Sequence, residues 1–140
     1  MALTELIYVS TLEGASEQVL ADILESSIRN NQADGLTGML LYYRGGFMQV
    51  LEGEDAAVSR TFARIQRDKR HHSITMLSRG ETLQRHFGQW SMGFKNVNAN
   101  DLAHIPTHAP FFNFGVHAEA IKGTPGLALE LLTLFSKNVD

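Results

Sequence analysis

The sequence contains no cysteine, only three prolines and no long apolar run. Without cysteine, disulfides, thiolate metal sites, iron–sulfur clusters and cysteine nucleophiles are all excluded. No apolar stretch approaches the roughly 20 residues that cross a bilayer. The first nine residues are too short and too polar for a signal peptide. We therefore expect a cytoplasmic protein with no membrane contact.

Charge is sparse and nearly balanced. Charged residues make up 19% of the chain, and the formal net charge is −3. Residues 54–97 carry a net charge of +4, between flanking segments of −5 and −2. A protein with this balance is not expected to bind nucleic acid directly or to attach to an anionic membrane.

Length and hydrophobic content predict one domain with a core of its own, followed by an appendage. The chain has 140 residues, of which 44% are hydrophobic. These values fit a single globular domain. The asparagine-rich run 96–101 is typical of a loop, and all three prolines lie beyond it. We predict a domain over residues 1–97 and a C-terminal helical extension over residues 98–140.

Hydrophobic periodicity divides the first 97 residues into seven elements. A first helix is predicted from Ser16, its N-cap, to about Asn31. A second helix is predicted from Asp55 to Arg67. Strand patterns fall at Leu3–Ser10, Leu36–Tyr43, Phe47–Glu52, Ser73–Ser78 and Gln89–Val97, and a glycine turn joins the second and third strands.

The resulting order β-α-β-β-α-β-β predicts an α+β fold of ferredoxin-like type. In that layout a five-stranded mixed sheet carries two helices on one face. The first and third strands lie side by side in the middle of the sheet. The C-terminal extension is then free to cover the other face.

Two polar residues lie in strands that otherwise look like core. Gln49 shares a strand face with Phe47 and Leu51, so its amide is predicted to point inward. The alternative is a register effect that turns Gln49 to solvent. Tyr8 is predicted on the neighbouring first strand, where packing alone explains most tyrosines. A buried phenol beside a buried amide is costly unless the pair is satisfied or used.

Two asparagines and a basic run each allow a structural and a functional interpretation. Asn30 and Asn31 end the first predicted helix, where asparagine serves as a C-cap; their amides can also bind the polar edge of a planar heterocycle. The run from Arg60 to His72 is either a solvated basic face or a phosphate site. The six histidines lack the spacing of a metal site, so no metal is predicted.

A wide apolar stripe marks residues 126–137. Leu127, Leu131, Leu134 and Phe135 lie on one helical face, and Leu129 and Leu132 widen it. Pro125 suits the first turn of this helix. The helix is expected to pack on the bare face of its own sheet. Excess apolar surface would support a homodimer, a higher homo-oligomer or a partner protein.

Five blocks in register resemble the BLUF family of blue-light sensors that use FAD. They are Leu6–Ser10 (LIYVS), Asn30–Gly38 with its two asparagines, Phe47–Gly53 (FMQVLEG), Arg67–His71 and Trp90–Met92 (WSM). The resemblance covers residues 3–97. One small departure is Met48, where an aromatic residue is common.

The resemblance implies a role for each matching position. Ile23 and Ile65 would be apolar walls for the flavin ring, and Asn31, assisted by Asn30, would bind its pyrimidine edge. Gln49 would bridge the flavin and Tyr8. Further cofactor-binding positions would be Ser27, Phe47, Asp68, Arg70 and His71, the last three near the ribityl and phosphate part. Trp90 and Met92 on strand five, with Ser10, would relay the signal.

The resemblance also implies a mechanism and a partner. Excited flavin would take an electron from Tyr8, and the proton would pass through Gln49. Gln49 would then remain rotated or as its imidic-acid tautomer, and its new hydrogen bond would shift flavin absorption to the red. No net chemistry results, so the protein would be a switch and not an enzyme. Its downstream protein partner is not identified by the sequence.

Two other functions fit the predicted fold. A small hydrolase of acylphosphatase type has this layout, but its arginine-bearing phosphate loop near the N-terminus is missing here. A flavin-free dimerisation module is the other alternative. The spectrum of the purified protein separates the three functions.

Overall fold

Five strands and three helices occupy the residues that the computed structural model describes, which are 3–12, 17–43, 46–98, 101 and 126–136. The strands are β1 (Leu3–Leu12), β2 (Thr37–Tyr43), β3 (Gly46–Gly53), β4 (His71–Thr82) and β5 (Gly93–Asn96). The helices are α1 (Glu17–Asp34), α2 (Asp55–Gln66) and α3 (Leu127–Ser136).

All five strands form one mixed sheet in the order β4-β1-β3-β2-β5. Neighbouring strands are antiparallel except β2 and β5, which are parallel. The predicted ferredoxin-like layout is therefore confirmed, including the central pair β1 and β3. Their register sets Tyr8 directly opposite Gln49.

Two apolar clusters cover the two faces of the sheet. Because side chains alternate along a strand, β1 sends Leu6 and Tyr8 to one face and Ile7 and Val9 to the other. The cluster with Tyr8 packs under α1 and α2. The cluster with Ile7 packs under α3, as predicted for the C-terminal helix.

The buried side of α3 differs in detail from the predicted stripe. Leu131, Leu132 and Phe135 are its buried residues, whereas Leu134 is half-buried. Leu132 was expected only at the margin of the stripe. Because it is fully buried, the helix is rotated towards Leu132 relative to the predicted orientation. The side chain of Leu127 lies outside the described residues, as do Pro125 and the predicted N-cap Ser16.

The last two strands end at different residues from those predicted. β4 is twice as long as the predicted strand, and β5 begins at Gly93 instead of Gln89. Residues 83–92 form a bent segment in which the Trp90 N–H donates to the Phe87 carbonyl at 3.2 Å. A Cβ on Gly93 would lie only 2.8 Å from Met39 Sδ. The lack of a side chain at Gly93 therefore allows β5 to approach β2 this closely.

The first helix also ends later than predicted. It continues to Asp34, and Gly35 then adopts the left-handed conformation with φ +69°. The Leu36 N–H donates to the Asn31 carbonyl at 2.9 Å, which closes the helix in the manner of a Schellman motif. The C-cap interpretation of Asn30 and Asn31 is therefore wrong, because the helix continues past both residues and glycine takes the C-cap role.

None of the described helices combines the length and apolar character that a membrane span requires. Val97 is still hydrogen-bonded to Tyr42 of β2 at 2.8 Å. The domain boundary at residues 97 and 98 stays a prediction.

Candidate functional site

The floor of the site is a buried phenol hydrogen-bonded to a buried amide. Tyr8 is 0% exposed and Gln49 is 1% exposed, and both point to the face that α1 and α2 cover. The Tyr8 hydroxyl donates to Gln49 Oε1. Burial raises the pKa of the Tyr8 phenol well above its ordinary value, and the Asp68 carboxylate adds to this. The inward orientation predicted for Gln49 is confirmed.

The second end of the Gln49 amide is held by a thioether. Gln49 Nε2 donates to Met92 Sδ at 3.3 Å. Sulfur is a weak acceptor, so this contact costs little to exchange for an oxygen acceptor. Tyr8, Gln49 and Met92 thus form a short chain of hydrogen bonds in which the Gln49 amide is the middle member.

A cleft of about 470 Å³ opens above this floor between the two helices, and part of this volume is open to solvent. Its lining residues are Tyr8, Ile23, Ser26, Ser27, Asn30, Asn31, Gln49, Thr61, Arg64, Ile65, Asp68 and Arg70. Those near the floor are buried, and those at the rim are polar or charged.

Asn31 ties the cleft to the segment that precedes β5. It is 1% exposed, and its Nδ2 donates to the Ser91 carbonyl at 2.7 Å. Asn30, half-buried, lines the cleft beside it. A change in the position of residues 90–92 would therefore reach both Gln49 and Asn31.

The rim carries a rigid pair of opposite charges. Arg70 Nε and Nη2 lie 2.9 and 2.6 Å from the two oxygens of Asp68. This fork-shaped contact raises the pKa of Arg70 still further and fixes its side chain at the mouth of the cleft. Arg64, also at the rim, lies 3.8 Å from Asp34 of α1.

This arrangement suits a flat heteroaromatic ligand with an anionic tail. Ile23 from α1 and Ile65 from α2 supply apolar side chains on the two sides of the cleft. The amides at the floor provide donors and acceptors for a ring edge, and the arginines at the rim face the solvent side. The buried phenol adds a group that can lose both a proton and an electron.

Residues 3–93 match the family model described as sensors of blue-light using FAD. The chain belongs to the BLUF family. This membership confirms the resemblance that the five sequence blocks indicated, and it favours a sensor domain over an acylphosphatase-type hydrolase or a flavin-free module.

Known proteins with similar sequences include light-regulated enzymes and regulators. The photoactivated adenylate cyclase subunit alpha of Euglena gracilis is 34% identical over 99 residues, which are 69% of this chain and 10% of that protein. The blue light- and temperature-regulated antirepressor BluF of Escherichia coli (strain K12) is 31% identical over 91 residues, 64% of this chain and 23% of that protein. The chain thus spans about a tenth of the length of the cyclase subunit.

Among solved structures, the photo-activated state of BlsA has a similar fold over nearly the whole length. Its TM-score is 0.76 at 28% identity, and the match covers 99% of this chain and 96% of that chain. A bacterial light-regulated adenylyl cyclase matches with a TM-score of 0.74 at 31% identity, covering 94% of this chain and 39% of that one.

Most of the residues predicted for the BLUF site line the one cleft. They are Tyr8, Ile23, Ser27, Asn30, Asn31, Gln49, Ile65, Asp68 and Arg70. Phe47 lies outside the lining, fully buried with its ring stacked 6.2 Å from that of Tyr8. Ser10 is buried opposite Phe47 in the sheet and is also outside the lining. The side chain of His71, whose backbone begins β4, lies outside the described residues.

Trp90 and Met92 differ from their predicted position. Both precede β5, so the assignment to strand five is wrong. Met92 packs into the cluster under α1 and α2, whereas Trp90, half-buried, packs against the cluster under α3. Of Trp90 and Met92, Met92 is therefore the one that contacts Gln49.

Sequence reasoning missed a buried carboxylate that anchors the segment before β5. Glu52 is 0% exposed, and its oxygens accept from the Thr37 hydroxyl and from the N–H groups of His86 and Phe87 at 3.0, 2.6 and 3.0 Å. Glu5 Oε2 lies 2.9 Å from His86 Nδ1. An acidic residue inside an otherwise apolar strand is the signal that could have revealed this anchor.

Proposed function

We propose that the protein is a blue-light photoreceptor in which FAD excitation drives proton-coupled electron transfer from Tyr8 by way of Gln49. The observation that carries this proposal is the buried chain of Tyr8, Gln49 and Met92 at the floor of the cleft. A phenol and an amide in direct contact at such a depth provide a redox-active donor and a proton relay. Membership of the BLUF family supports the same function.

The residues present fit FAD. Ile23 and Ile65 would hold the flavin ring, Asn31 and Gln49 would bind its polar edge, and Arg70 would lie near the phosphates. Asn30, Ser27, Asp68 and His71 are further cofactor-binding positions under this proposal. Bound flavin supplies a blue-light chromophore that becomes a strong oxidant when excited.

The chain's own part in the mechanism is the movement of one proton and the reorientation of one amide. Tyr8 would lose one electron to bound flavin and its hydroxyl proton to Gln49 Oε1, while the Gln49 amide nitrogen would release a proton. Tyr8 would later regain both an electron and a proton, so no net reaction occurs. Gln49 is left rotated or as its imidic-acid tautomer. Its weak bond to Met92 is the contact that this change exchanges, because the sulfur competes poorly for the amide hydrogen.

The proposed relay leaves the cleft through the segment before β5. Met92 contacts Gln49, and the carbonyl of the preceding Ser91 accepts from Asn31. Trp90 packs on the opposite cluster, where α3 lies. A shift of Gln49 would therefore move Met92 on one face and Trp90 and α3 on the other, with Ser10 as a further proposed relay position.

We propose that the output is a protein partner or a second copy of the chain, and not a reaction at this domain. One relative is a photoactivated adenylate cyclase subunit and another is a blue light-regulated antirepressor, and this chain spans only a part of each. A sensor that hands its signal to another protein surface is consistent with that range of outputs.

The test is the absorption spectrum of the purified protein. We expect bound FAD and a reversible red shift of its absorption under blue light. Tyr8→Phe removes the phenolic proton, and Gln49→Leu removes the amide at similar volume. Both variants should bind flavin and lose the red-shifted state.

Gln18→Leu provides a matched control, because it makes the same substitution at an exposed position. Gln18 lies in the N-terminal part of α1, outside the cleft. It should keep the wild-type photocycle. A normal red shift in either site variant would contradict the mechanism, and a protein that binds no flavin would contradict the function.

A further inference from the structure

One polar atom near the floor of the cleft has no partner. Among the residues that the structure describes, Thr61 Oγ1 is the one buried side-chain oxygen or nitrogen without a hydrogen bond. Thr61 is 5% exposed and lines the cleft together with Tyr8 and Gln49. Buried hydroxyl groups are nearly always satisfied, so an exception inside a ligand cleft indicates a bond that the ligand completes.

The helix offers Thr61 a partner that it does not use. A threonine inside a helix commonly donates to the carbonyl four residues earlier, which here belongs to Ala57. No such bond is formed, and the hydroxyl is unpaired in the middle of α2. Rotation about χ1 exchanges the hydroxyl and the methyl group, so the hydroxyl can turn to the cleft without moving the backbone.

The neighbours of Thr61 locate it at the ring end of the cleft. Phe62, the next residue of α2, packs with its ring 5.5 Å from that of Tyr8. Ile65, one turn later, is the proposed apolar wall, and the charged residues Asp68 and Arg70 follow at the rim. Of the α2 residues that line the cleft, Thr61 is buried, Ile65 is half-buried and Arg64 is exposed at the rim, so Thr61 lies at the buried end.

We propose that Thr61 is a further ligand-binding residue, whose hydroxyl hydrogen-bonds the heteroaromatic ring of the flavin. This inference rests on the proposed function, because it takes flavin as the ligand. It adds a polar group from α2 to those that β1, β3 and α1 supply. Because the bond is to the ring, it should be the same for riboflavin and for FAD.

The experiment compares Thr61→Val, which replaces the hydroxyl by a methyl group of similar size, with Thr61→Ser, which keeps the hydroxyl. The dissociation constants of riboflavin and FAD are measured by titrating the flavin-free full-length protein. Thr61→Val should weaken both ligands about tenfold, the effect of one net hydrogen bond. Thr61→Ser should stay much nearer to the wild type. The infrared carbonyl bands of the bound flavin should shift in Thr61→Val.

Thr4→Val is the matched control, because Thr4 Oγ1 is bonded within the protein to Asp55 at 3.0 Å and Thr4 does not line the cleft. It should lower the melting temperature of the flavin-free protein and leave flavin affinity unchanged. Thr61→Val should weaken flavin binding and leave the melting temperature of the flavin-free protein unchanged, since its hydroxyl has no partner to lose among the described residues.

Three results would overturn the inference. These are unchanged affinity and infrared bands in Thr61→Val, a loss for FAD without a loss for riboflavin, or a fall in melting temperature equal to that of Thr4→Val. If the wild-type protein binds no flavin, the proposed function fails and this inference falls with it. If the wild type binds flavin and Thr61→Val binds it equally well, only this inference fails.

Discussion

Tyr8 is a phenol that its surroundings keep protonated. It is 0% exposed, its ring packs against Phe62 and Phe47, and its hydroxyl donates to Gln49. Burial is the main reason that its pKa is raised, with the Asp68 carboxylate second. A neutral phenol with a fixed acceptor is what a proton-coupled electron donor requires in the dark.

The raised pKa predicts a loss of stability in alkali. Below about pH 10 the Tyr8 phenol is protonated in both the folded and unfolded states, and its contribution is fully present. Above that pH the unfolded phenol ionises while the folded one does not, so the free energy of unfolding falls by about 1.4 kcal/mol per pH unit. The loss continues as the pH rises towards the folded pKa.

Urea unfolding of the wild type and of Tyr8→Phe at several pH values checks this. Ionisation of the other groups is common to both proteins and cancels in the difference. The stability advantage of the wild type should shrink above about pH 10. If the two curves remain parallel there, the phenol is not protected by burial.

At the scale of elements, the segment between β4 and β5 is held by side chains that are distant in sequence. Arg85 Nη1 donates to the Glu52 carbonyl at 3.0 Å, and the Glu52 carboxylate accepts from the backbone of residues 86 and 87. The Gly38 N–H donates to the Trp90 carbonyl at 3.2 Å. These bonds fix the position of the backbone that leads to Met92.

Replacing Glu52 by glutamine should release this segment. In the variant, an amide nitrogen replaces one carboxylate oxygen and faces the backbone N–H of His86 or of Phe87. Two hydrogen-bond donors then oppose each other in a buried site. We expect a loss of about 2–3 kcal/mol in the free energy of unfolding. Amide hydrogen exchange in residues 85–92 should become faster.

Glu54→Gln is the control, because Glu54 is exposed next to the start of α2. It should change stability by less than about 0.5 kcal/mol. Equal stability of the Glu52→Gln variant and the wild type would mean that the carboxylate does not hold the segment.

At the scale of the whole molecule, the sheet separates the cleft from α3. The cleft lies between α1 and α2, and α3 covers the opposite face through Leu131, Leu132 and Phe135. Residues 90–92 contact both clusters. Lys95 of β5 adds a link beyond the sheet, since its Nζ lies 3.5 Å from Asp101.

This arrangement predicts that light changes α3 more than it changes the start of α1. Hydrogen exchange in the dark and under blue light should differ in residues 85–96 and 127–136, and should agree in residues 17–24. The Gln49→Leu variant should show no light-dependent difference in any segment. Identical exchange of α3 in light and dark would mean that the signal leaves by another surface.

The sequence by itself determined the features that depend on local periodicity and on register. Alternating apolar residues predict that Gln49 points inward, and the order of elements sets β1 beside β3, so Tyr8 and Gln49 meet. The stripe of α3 predicts that it packs on the sheet. These inferences hold because a strand or helix repeats its side-chain directions over every residue it contains.

Only the tertiary structure decided the conformation of residues 83–92 and the partners of single polar atoms. Trp90 and Met92 lie on opposite faces because Glu52, more than 30 residues earlier, anchors the chain before them. Thr61 Oγ1 has no hydrogen-bond partner among the described residues, and its neighbours in the sequence do not encode this. Non-repeating backbone is set by contacts between distant residues, and such contacts form only when the whole chain has folded.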